Sequence, residues 1–278
     1  MAKFSLVGIT LSLLLVLAIA LPLGVSGATP TTTTNVVGDI EEDGSVPSSV
    51  DFGDVEASYI EMPSDDDDDD EPSELGVPVK SVVTKAFFNS ILSKASPSCA
   101  GKKFYRRKDF LNATRSYPKF GHLLNATAAK REIAAFFAHV TRETGHLCYI
   151  EEIYKGKYCD LGRAKEWPCA AGKKYYGRGP LQLTWNYNYG LFGSEKKLKT
   201  LKNPEMVAKN RVLSWQVSLW FWMKNVRPVL KKGFGATIKA INGGECNGGN
   251  PRAVAARVQY YKDYCKRFGI KPGRNLSC

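Results

Sequence analysis

Residues 130–152, KREIAAFFAHVTRETGHLCYIEE, decide how this chain folds. Their apolar side chains recur at the spacing i, i+3, i+4 and i+7, which places one set on a single helix face: Ile133, Phe136, Phe137 and Val140. Gly145 follows this stripe, and glycine is typical of a helix C-terminus because it adopts the left-handed conformation without strain. The stretch predicts an amphipathic helix that ends at Gly145 and packs one face against a core.

Glu143 lies at the edge of the apolar face when the sequence is projected at about 100° per residue. A carboxyl group there is expected to be partly buried and close to the negative end of the helix dipole, and both effects favour its protonated form. Glu143 is therefore predicted to act as a general acid. Glu151 and Glu152 follow after a short turn, so one of them can face back as an ionised carboxylate. Glycoside hydrolysis requires two carboxyl groups in unlike surroundings.

Two other interpretations of Glu143 stay open at this point. In the first, Glu143 is an ordinary surface residue at a helix end, and the apolar stripe only packs the core. In the second, His139, Glu143 and His146 bind a metal ion, since they are spaced i, i+4 and i+7. Gly145 ends the helix before His146, and the HExxH order of zinc proteases is absent. We therefore predict no metal site.

Composition divides the chain into three segments. Residues 1–27 combine Lys3, an apolar run to about Leu21 and small residues before a cleavage point, which is typical of a secretory signal peptide. A membrane anchor is the alternative, but the run is short and no second apolar span follows it. Residues 28–79 hold sixteen Asp or Glu residues and no Lys or Arg, which predicts a disordered acidic arm. We expect a secreted, extracellular protein without membrane association after signal cleavage.

Residues 80–278 form the predicted globular domain, which is strongly basic. They contain 38 of the 39 Lys and Arg residues but only 11 of the 27 Asp and Glu residues, a formal balance of +27. Such a charge with aromatic-rich segments also fits nucleic-acid binding, but the predicted secretion argues against it. A solvated basic surface, or contact with anionic cell-wall polymers, is the simpler interpretation. We expect no nucleic-acid partner.

All seven cysteines lie in the basic domain, which in a secreted protein indicates three disulfides and one remaining thiol. The spacing alone leaves the pairing open. Cys265 continues an apolar helical stripe formed by Val254, Val258 and Tyr261, so its side chain is expected to be buried.

A second informative stretch is KKYYGRGPLQLTWNYNYG, residues 173–190. Gly177, Gly179 and Pro180 preclude a helix, and the next four residues alternate apolar with polar, which predicts an extended run with Gln182 and Thr184 on one face. A wall of amide, hydroxyl and aromatic groups suits a neutral sugar polymer. The alternative is a polar β-hairpin without a binding role.

Further helices are predicted by capping and periodicity. They cover residues 84–93 and 108–113, a start at Asn203 and Pro204, a buried run over 215–223, and a last helix from Asn250 that ends before Gly269. Arg257 flanks the buried stripe of the last helix. A half-buried arginine needs an anionic partner, although an exposed arginine is the alternative.

Three motifs in this order, FFAHVTRETGHLCYIEEI, YYGRGPLQLTWNYNYG and NPRAVAARVQYYKDYC, closely resemble the plant class IV chitinases of glycoside hydrolase family 19. The resemblance covers residues 82–278. It implies a mainly α-helical (α+β), lysozyme-like, two-lobed domain with a small β-hairpin lining a substrate cleft. It also implies endo-hydrolysis of the β-1,4 bonds of chitin with inversion and without a cofactor, by a monomer with a role in plant defence.

The resemblance also implies roles for individual residues. Glu143 is the expected acid and Glu152, rather than Glu151, the expected base, and Thr184 stands where the family usually has a serine that helps to position the attacking water. The expected substrate-binding residues are Gln182, Tyr187, Asn188, Asn242 and Arg257, with Arg257 close to the acid. Asn242 belongs to a loop that is one residue shorter than the usual form.

The implied disulfides are Cys99–Cys148, Cys159–Cys169 and Cys246–Cys278, which leave Cys265 free. Because no cysteine precedes Cys99, the small chitin-binding module of many family members is expected to be missing. Two other classes of protein stay open: a catalytically silent chitin lectin, and a cationic wall-binding protein whose charge matters more than its cleft.

Overall fold

A computed structural model describes residues 77–278, and the predicted signal peptide and nearly all of the predicted acidic arm lie outside these described residues. Val79 begins the first helix, and its side chain is buried in the core. The first helix thus begins one residue before the predicted boundary between residues 79 and 80.

Within residues 77–278 the chain is mainly helical, as predicted. The α-helices are α1 (Val79–Val82), α2 (Lys85–Leu92), α3 (Gly101–Phe104), α4 (Arg107–Arg115), α5 (Ala126–Thr144), α6 (Asn186–Lys196), α7 (Met206–Lys209), α8 (Arg211–Phe221), α9 (Phe234–Asn242) and α10 (Pro251–Arg267). Short 3₁₀ turns span Leu161–Arg163, Arg227–Lys232 and Gly243–Glu245, and a π turn spans Trp222–Val226. None of these helices is long and apolar enough to cross a membrane.

Helix α5 is the central element, and its C-terminal end is the one that the sequence predicts. The Asn125 side chain accepts a hydrogen bond from the Ala128 backbone N–H at 2.8 Å and so caps the N-terminus. Gly145 has φ +57° and ends the helix in the left-handed conformation. Glu143 therefore lies in the last turn of a helix that is almost entirely buried along its second half.

Two helix pairs build the core around α5. Helix α10 packs along α5, and α4 packs along α8. Between them lies an aromatic cluster in which the ring centroids of Phe110 and Trp215 are 5.1 Å apart, those of Phe110 and Phe137 are 5.1 Å apart, and those of Phe136 and Trp222 are 5.4 Å apart. Edge-to-face contacts of this kind favour one fixed arrangement of the rings, so the cluster holds α5 and its last turn in place.

Two sequence predictions are wrong in detail. Helix α7 begins at Met206 without a side-chain cap, so Asn203 and Pro204 precede the helix rather than start it. The predicted extended run at residues 181–184 is interrupted at Gln182, which has φ +48°. The chain turns there, and the expected hairpin consists of single bridges, Glu151 to Arg178 and Arg178 to Leu183.

Three disulfides cross-link the fold: Cys99–Cys148, Cys159–Cys169 and Cys246–Cys278. These are the pairs that the resemblance implied. Cys265 is a free thiol on α10 and is fully buried, as its place in the apolar stripe predicts. Burial raises the pKa of this thiol to about 11, so it is protonated at neutral pH.

Candidate active site

Glu143 contacts a buried arginine from the neighbouring helix. Its side chain keeps 20% of its exposure, and its Oε1 accepts a hydrogen bond from Arg257 Nη2 at 2.5 Å. Arg257 is carried by α10, which packs along α5, so the two helices bring together side chains that are 114 positions apart. Arg257, which the sequence predicted to be half-buried, is only 1% exposed and has the anionic partner that its position requires.

Arg257 is shared by two carboxylates. Its Nε and Nη2 donate to Glu245 Oε2 and Oε1 at 2.7 and 2.9 Å, in addition to the bond with Glu143. Burial alone lowers the pKa of Arg257, but the charge of Glu143 and the hydrogen bonds of Glu245 raise it above its ordinary value. The guanidinium stays cationic and forms the centre of a three-residue network in which two carboxyl groups share one cation.

His139 completes this network from inside the core. Its Nδ1 lies 3.1 Å from Arg257 Nη1, which can only donate, so Nδ1 accepts and the proton resides on Nε2. Nε2 then donates to Thr237 Oγ1 at 2.9 Å. Burial, followed by the charge of Arg257, lowers the pKa of His139 well below its ordinary value, so the ring is neutral.

The alternative metal site is not assembled in the part of the chain that the structure describes. Both ring nitrogens of His139 have partners in the core, and His146 packs edge-on against Tyr260 at 5.3 Å. No group of three or more His, Cys, Asp or Glu residues within 77–278 comes together as metal ligands would.

Glu152 is held by neutral donors. Its Oε1 accepts from the Tyr158 hydroxyl at 2.6 Å and its Oε2 from the Gly177 backbone N–H at 2.9 Å. The Glu152 backbone also pairs with Gly177, with N–H to O at 2.8 Å. Burial, then the hydrogen bond and charge of Glu152, raise the pKa of Tyr158 above its ordinary value, so the phenol stays protonated and keeps donating.

Glu151 has cationic partners instead. It accepts from Lys155 Nζ at 2.9 Å, Arg178 Nε at 3.1 Å and the Tyr176 hydroxyl at 2.9 Å. Burial acts to raise the pKa of Glu151, but hydrogen bonds from Lys155 and Tyr176 and the nearby positive charges lower it overall. Glu151 is therefore a weak base that holds its loop in place, which favours Glu152 of the two neighbours as a proton acceptor.

The predicted wall residues follow Gly177 in one short segment. Leu181 and Leu183 are buried while Gln182 and Thr184 are half-buried, so the apolar and polar side chains alternate despite the turn at Gln182. Gln182 Nε2 donates to the Gly179 carbonyl at 2.8 Å, and Thr184 Oγ1 donates to the Gln182 carbonyl at 2.8 Å. These bonds fix the turn that carries both side chains.

Helix α6 begins directly after this turn and carries two more predicted residues. Asn188 Nδ2 donates to the Thr184 carbonyl at 2.8 Å. Tyr187 is half-buried, with the guanidinium carbon of Arg163 at 4.3 Å from its ring centroid. Asn242, by contrast, lies at the end of α9 and its amide donates to Glu245 Oε1 at 3.2 Å.

The predicted residues thus form two groups. The first group, named here the arginine group, consists of Glu143, Arg257 and Asn242 with Glu245 and His139. The second, named here the turn group, consists of Glu152, Gln182, Thr184 and Asn188 with Tyr158. Among the described residues no direct hydrogen bond or ion pair joins the two groups. Each group supplies one of the two carboxyl groups that the sequence singled out, in unlike surroundings.

Sequence reasoning missed Glu245 and Tyr158. Glu245 had a usable signal, since it is the only acidic residue between Glu205 and Asp263 and lies close in sequence to Arg257, which needs an anion. Tyr158 had none, because its contact with Glu152 depends on a left-handed backbone at Tyr158, with φ +45°.

A mainly helical domain with two carboxyl groups in unlike surroundings is the arrangement of a glycoside hydrolase. The family model described as chitinase class I, of glycoside hydrolase family 19, matches residues 82–231 and 225–278. "Chitinase 4" of Oryza sativa subsp. japonica is 58% identical over 206 residues, 73% of this chain and 72% of that protein. "Endochitinase A" of Zea mays is 55% identical over 202 residues, 72% of each chain.

A solved structure agrees with these relatives. The crystal structure of a family 19, class IV chitinase from Zea mays superposes with a TM-score of 0.69 at 54% identity, over 71% of this chain and 98% of that one. The chain therefore belongs to glycoside hydrolase family 19 and has its lysozyme-like helical fold.

Proposed function

We propose that the protein is a secreted endochitinase that cleaves β-1,4 bonds between N-acetylglucosamine units of chitin with inversion at the reacting carbon. The observation that carries this proposal is the contrast between the two carboxyl groups: Glu143 in a network around one buried cation, and Glu152 held by neutral donors only. The relatives named chitinases and endochitinases supply the substrate class.

Glu143 is the proposed general acid. It stands at the negative end of α5 and shares Arg257 with Glu245, which takes two hydrogen bonds of that guanidinium. A sugar chain that covers the remaining exposed part of Glu143 removes water from it. Glu143 then transfers its proton to the leaving oxygen.

Glu152 is the proposed general base. Neither of its oxygen atoms is bonded to a cation, so its negative charge is available to accept a proton from water. The Thr184 hydroxyl donates to a backbone carbonyl, and its oxygen can accept a hydrogen bond from the same water. An inverting enzyme requires the two carboxyl groups to be roughly 6.5 to 9.5 Å apart, which leaves room for that water.

The substrate chemistry fits the polar residues of the turn group together with the neighbouring Tyr187. Gln182, Thr184, Tyr187 and Asn188 offer amide, hydroxyl and aromatic surface but no charge, which suits a neutral polymer with many hydroxyl groups. No cofactor, nucleic acid or second subunit has a part in this mechanism.

Secretion is supported by the leading sequence and by the three disulfides, since such bonds persist in oxidising compartments. The relatives named above are plant proteins, and a secreted chitinase of that kind fits a role in defence against organisms with chitin walls.

The test uses soluble chitin oligomers with wild type and Glu143→Gln. We expect reducing ends from wild type only, and NMR of fresh products is expected to show the α-anomer first, because one displacement on a β-linked sugar inverts the centre. Glu205→Gln, at a surface carboxyl paired with Lys173, serves as the matched control and should keep full activity. Glu143→Gln should lose roughly 10² to 10⁴-fold in rate, and an initial β-anomer would overturn the inverting mechanism.

A further inference from the structure

An exposed hydrophobic turn lies directly beside the candidate base. Ile153 and Tyr154 follow Glu152, and their side chains are 76% and 73% exposed. Of the five large hydrophobic side chains exposed among residues 77–278, three lie within two positions of Glu151 or Glu152, the third being Tyr149. Exposed apolar side chains grouped at one place on a soluble protein mark a site where something binds.

A backbone hydrogen bond and close packing of two rings hold this turn in one conformation. The Gly156 backbone N–H donates to the Tyr154 carbonyl at 3.0 Å. A Cβ atom on Gly156 would lie 2.8 Å from the ring of Tyr154 and 2.6 Å from the ring of Tyr158, so only glycine allows both rings to approach this closely. The ring of Tyr154 is thereby held in position although the side chain is 73% exposed to solvent.

Tyr154 is connected to Glu152 through one other ring. Its centroid lies 6.4 Å from that of Tyr158, with the rings edge-on at 76°, and the Tyr158 hydroxyl donates to Glu152. On its other side Tyr158 meets Trp185 edge-on at 5.4 Å. Three aromatic rings thus follow one another past the candidate base, and Tyr154 is the outermost and most exposed of them.

We propose that Ile153 and Tyr154 form an additional sugar-binding subsite, in which the apolar face of one N-acetylglucosamine ring packs on the exposed ring of Tyr154. This proposal rests on the proposed function, because continuity with Glu152 is what identifies a chitin chain as the occupant. A pyranose ring presents C–H groups on its faces and hydroxyl groups at its edge. It therefore matches a flat ring with a polar tip, such as tyrosine.

A subsite of this kind has a defined kinetic signature. A ring that contacts a remote sugar equally well before and during the reaction changes KM and leaves kcat alone. Covering one face of a phenol ring is expected to change KM roughly 5- to 30-fold. The change appears only with oligomers long enough to reach Tyr154, and it alters which bond of a long oligomer is cut.

The experiment compares wild type, Tyr154→Ala, Tyr154→Phe and Leu124→Ala on chitin oligomers of increasing length. Leu124 is the matched control because it is 88% exposed and precedes α5, whereas Glu143 is in the last turn of that helix, about 26 Å along its axis from the first residue. We expect Tyr154→Ala to raise KM for long oligomers only, Tyr154→Phe to keep wild-type values, and Leu124→Ala to change nothing. The product pattern from the hexamer, read by mass spectrometry, should shift only in Tyr154→Ala.

The two proposals fail in different ways. If wild type cuts the oligomers and Tyr154→Ala matches it in KM and products at every length, the subsite is overturned while the chitinase function stands. If wild type does not cleave the oligomers, the chitinase function fails. The subsite is then tested by measuring the binding of the hexamer to each variant by calorimetric titration. Weaker binding by Tyr154→Ala than by Tyr154→Phe then supports the subsite, and equal binding or none overturns it.

Discussion

Arg257 gives the sharpest test of the arginine group, because its replacement by methionine separates stability from activity. The variant Arg257→Met keeps most of the side-chain volume and removes the cation that Glu143 and Glu245 share. Glu245 is 3% exposed, and its remaining side-chain partner is the Asn242 amide at 3.2 Å. A buried carboxylate would thus be left without a compensating charge.

The magnitude follows from this burial. Breaking a buried pair by removing one partner costs about 3 to 5 kcal/mol. In a domain of this size 1 kcal/mol shifts Tm by about 2 to 4 °C, so Tm should fall by roughly 6 to 20 °C. The double variant Arg257→Met with Glu245→Met removes both charges and should recover most of that loss, because an apolar pair in place of a buried ion pair is often neutral. Both variants free Glu143 from its donor and should lose on the order of 10²-fold in kcat.

Differential scanning calorimetry and the reducing-end assay measure the two effects separately. Arg227→Met is the matched control, because Arg227 bonds Glu132, a fully buried carboxylate on α5, at 3.0 Å. Glu132 lies about 16 Å along the helix from Glu143, so this variant should lose stability and keep kcat. If the double variant regains full activity together with its Tm, Arg257 does not position Glu143, and a fall in Tm below about 2 °C in Arg257→Met would refute the burial argument.

Glu152→Gln should abolish turnover. Glu151→Gln should lower turnover less, because it only releases Lys155 and Arg178 near the base. If Glu151→Gln has the larger effect in an initial-rate assay, Glu151 is the base. The native protein should not react with a thiol reagent, because Cys265 is fully buried and burial raises its pKa to about 11. Denatured, unreduced protein should react with one equivalent, and two or more would contradict the three disulfides.

The central helix was predictable because its signals are local. The apolar stripe and the stop at Gly145 lie within one stretch, and both specify the same helix; the cap at Asn125 is a further local signal that the sequence interpretation did not use. The position of Glu143 in the last turn follows directly from that periodicity. Cys265 was predictable for the same reason, since three residues of its own helix define the stripe that buries it.

The contacts within the site were harder to predict from the sequence, because they join distant parts of the chain or depend on unusual backbone angles. Arg257 and Glu143 are 114 positions apart, and no helical pattern specifies that α10 packs along α5. The left-handed conformations at Tyr158 and Gln182 are rare for non-glycine residues, so an extended run is the natural expectation there. The surroundings of each carboxyl group therefore had to come from the structure.

Each of the two candidate catalytic glutamates has a second glutamate beside it that binds nearby cations. Beside Glu143, Glu245 accepts two hydrogen bonds from Arg257. Beside Glu152, Glu151 accepts hydrogen bonds from Lys155 and Arg178. In a domain with a balance of +27, a lone carboxylate would be expected to collect cations and lose its ability to exchange a proton. Glu151 binds both nearby cations and leaves Glu152 without one, whereas Glu245 accepts two hydrogen bonds of Arg257 and leaves Glu143 to share that cation through a third. The strongly basic composition and acid–base chemistry are thus compatible because each candidate catalytic glutamate has an acidic neighbour.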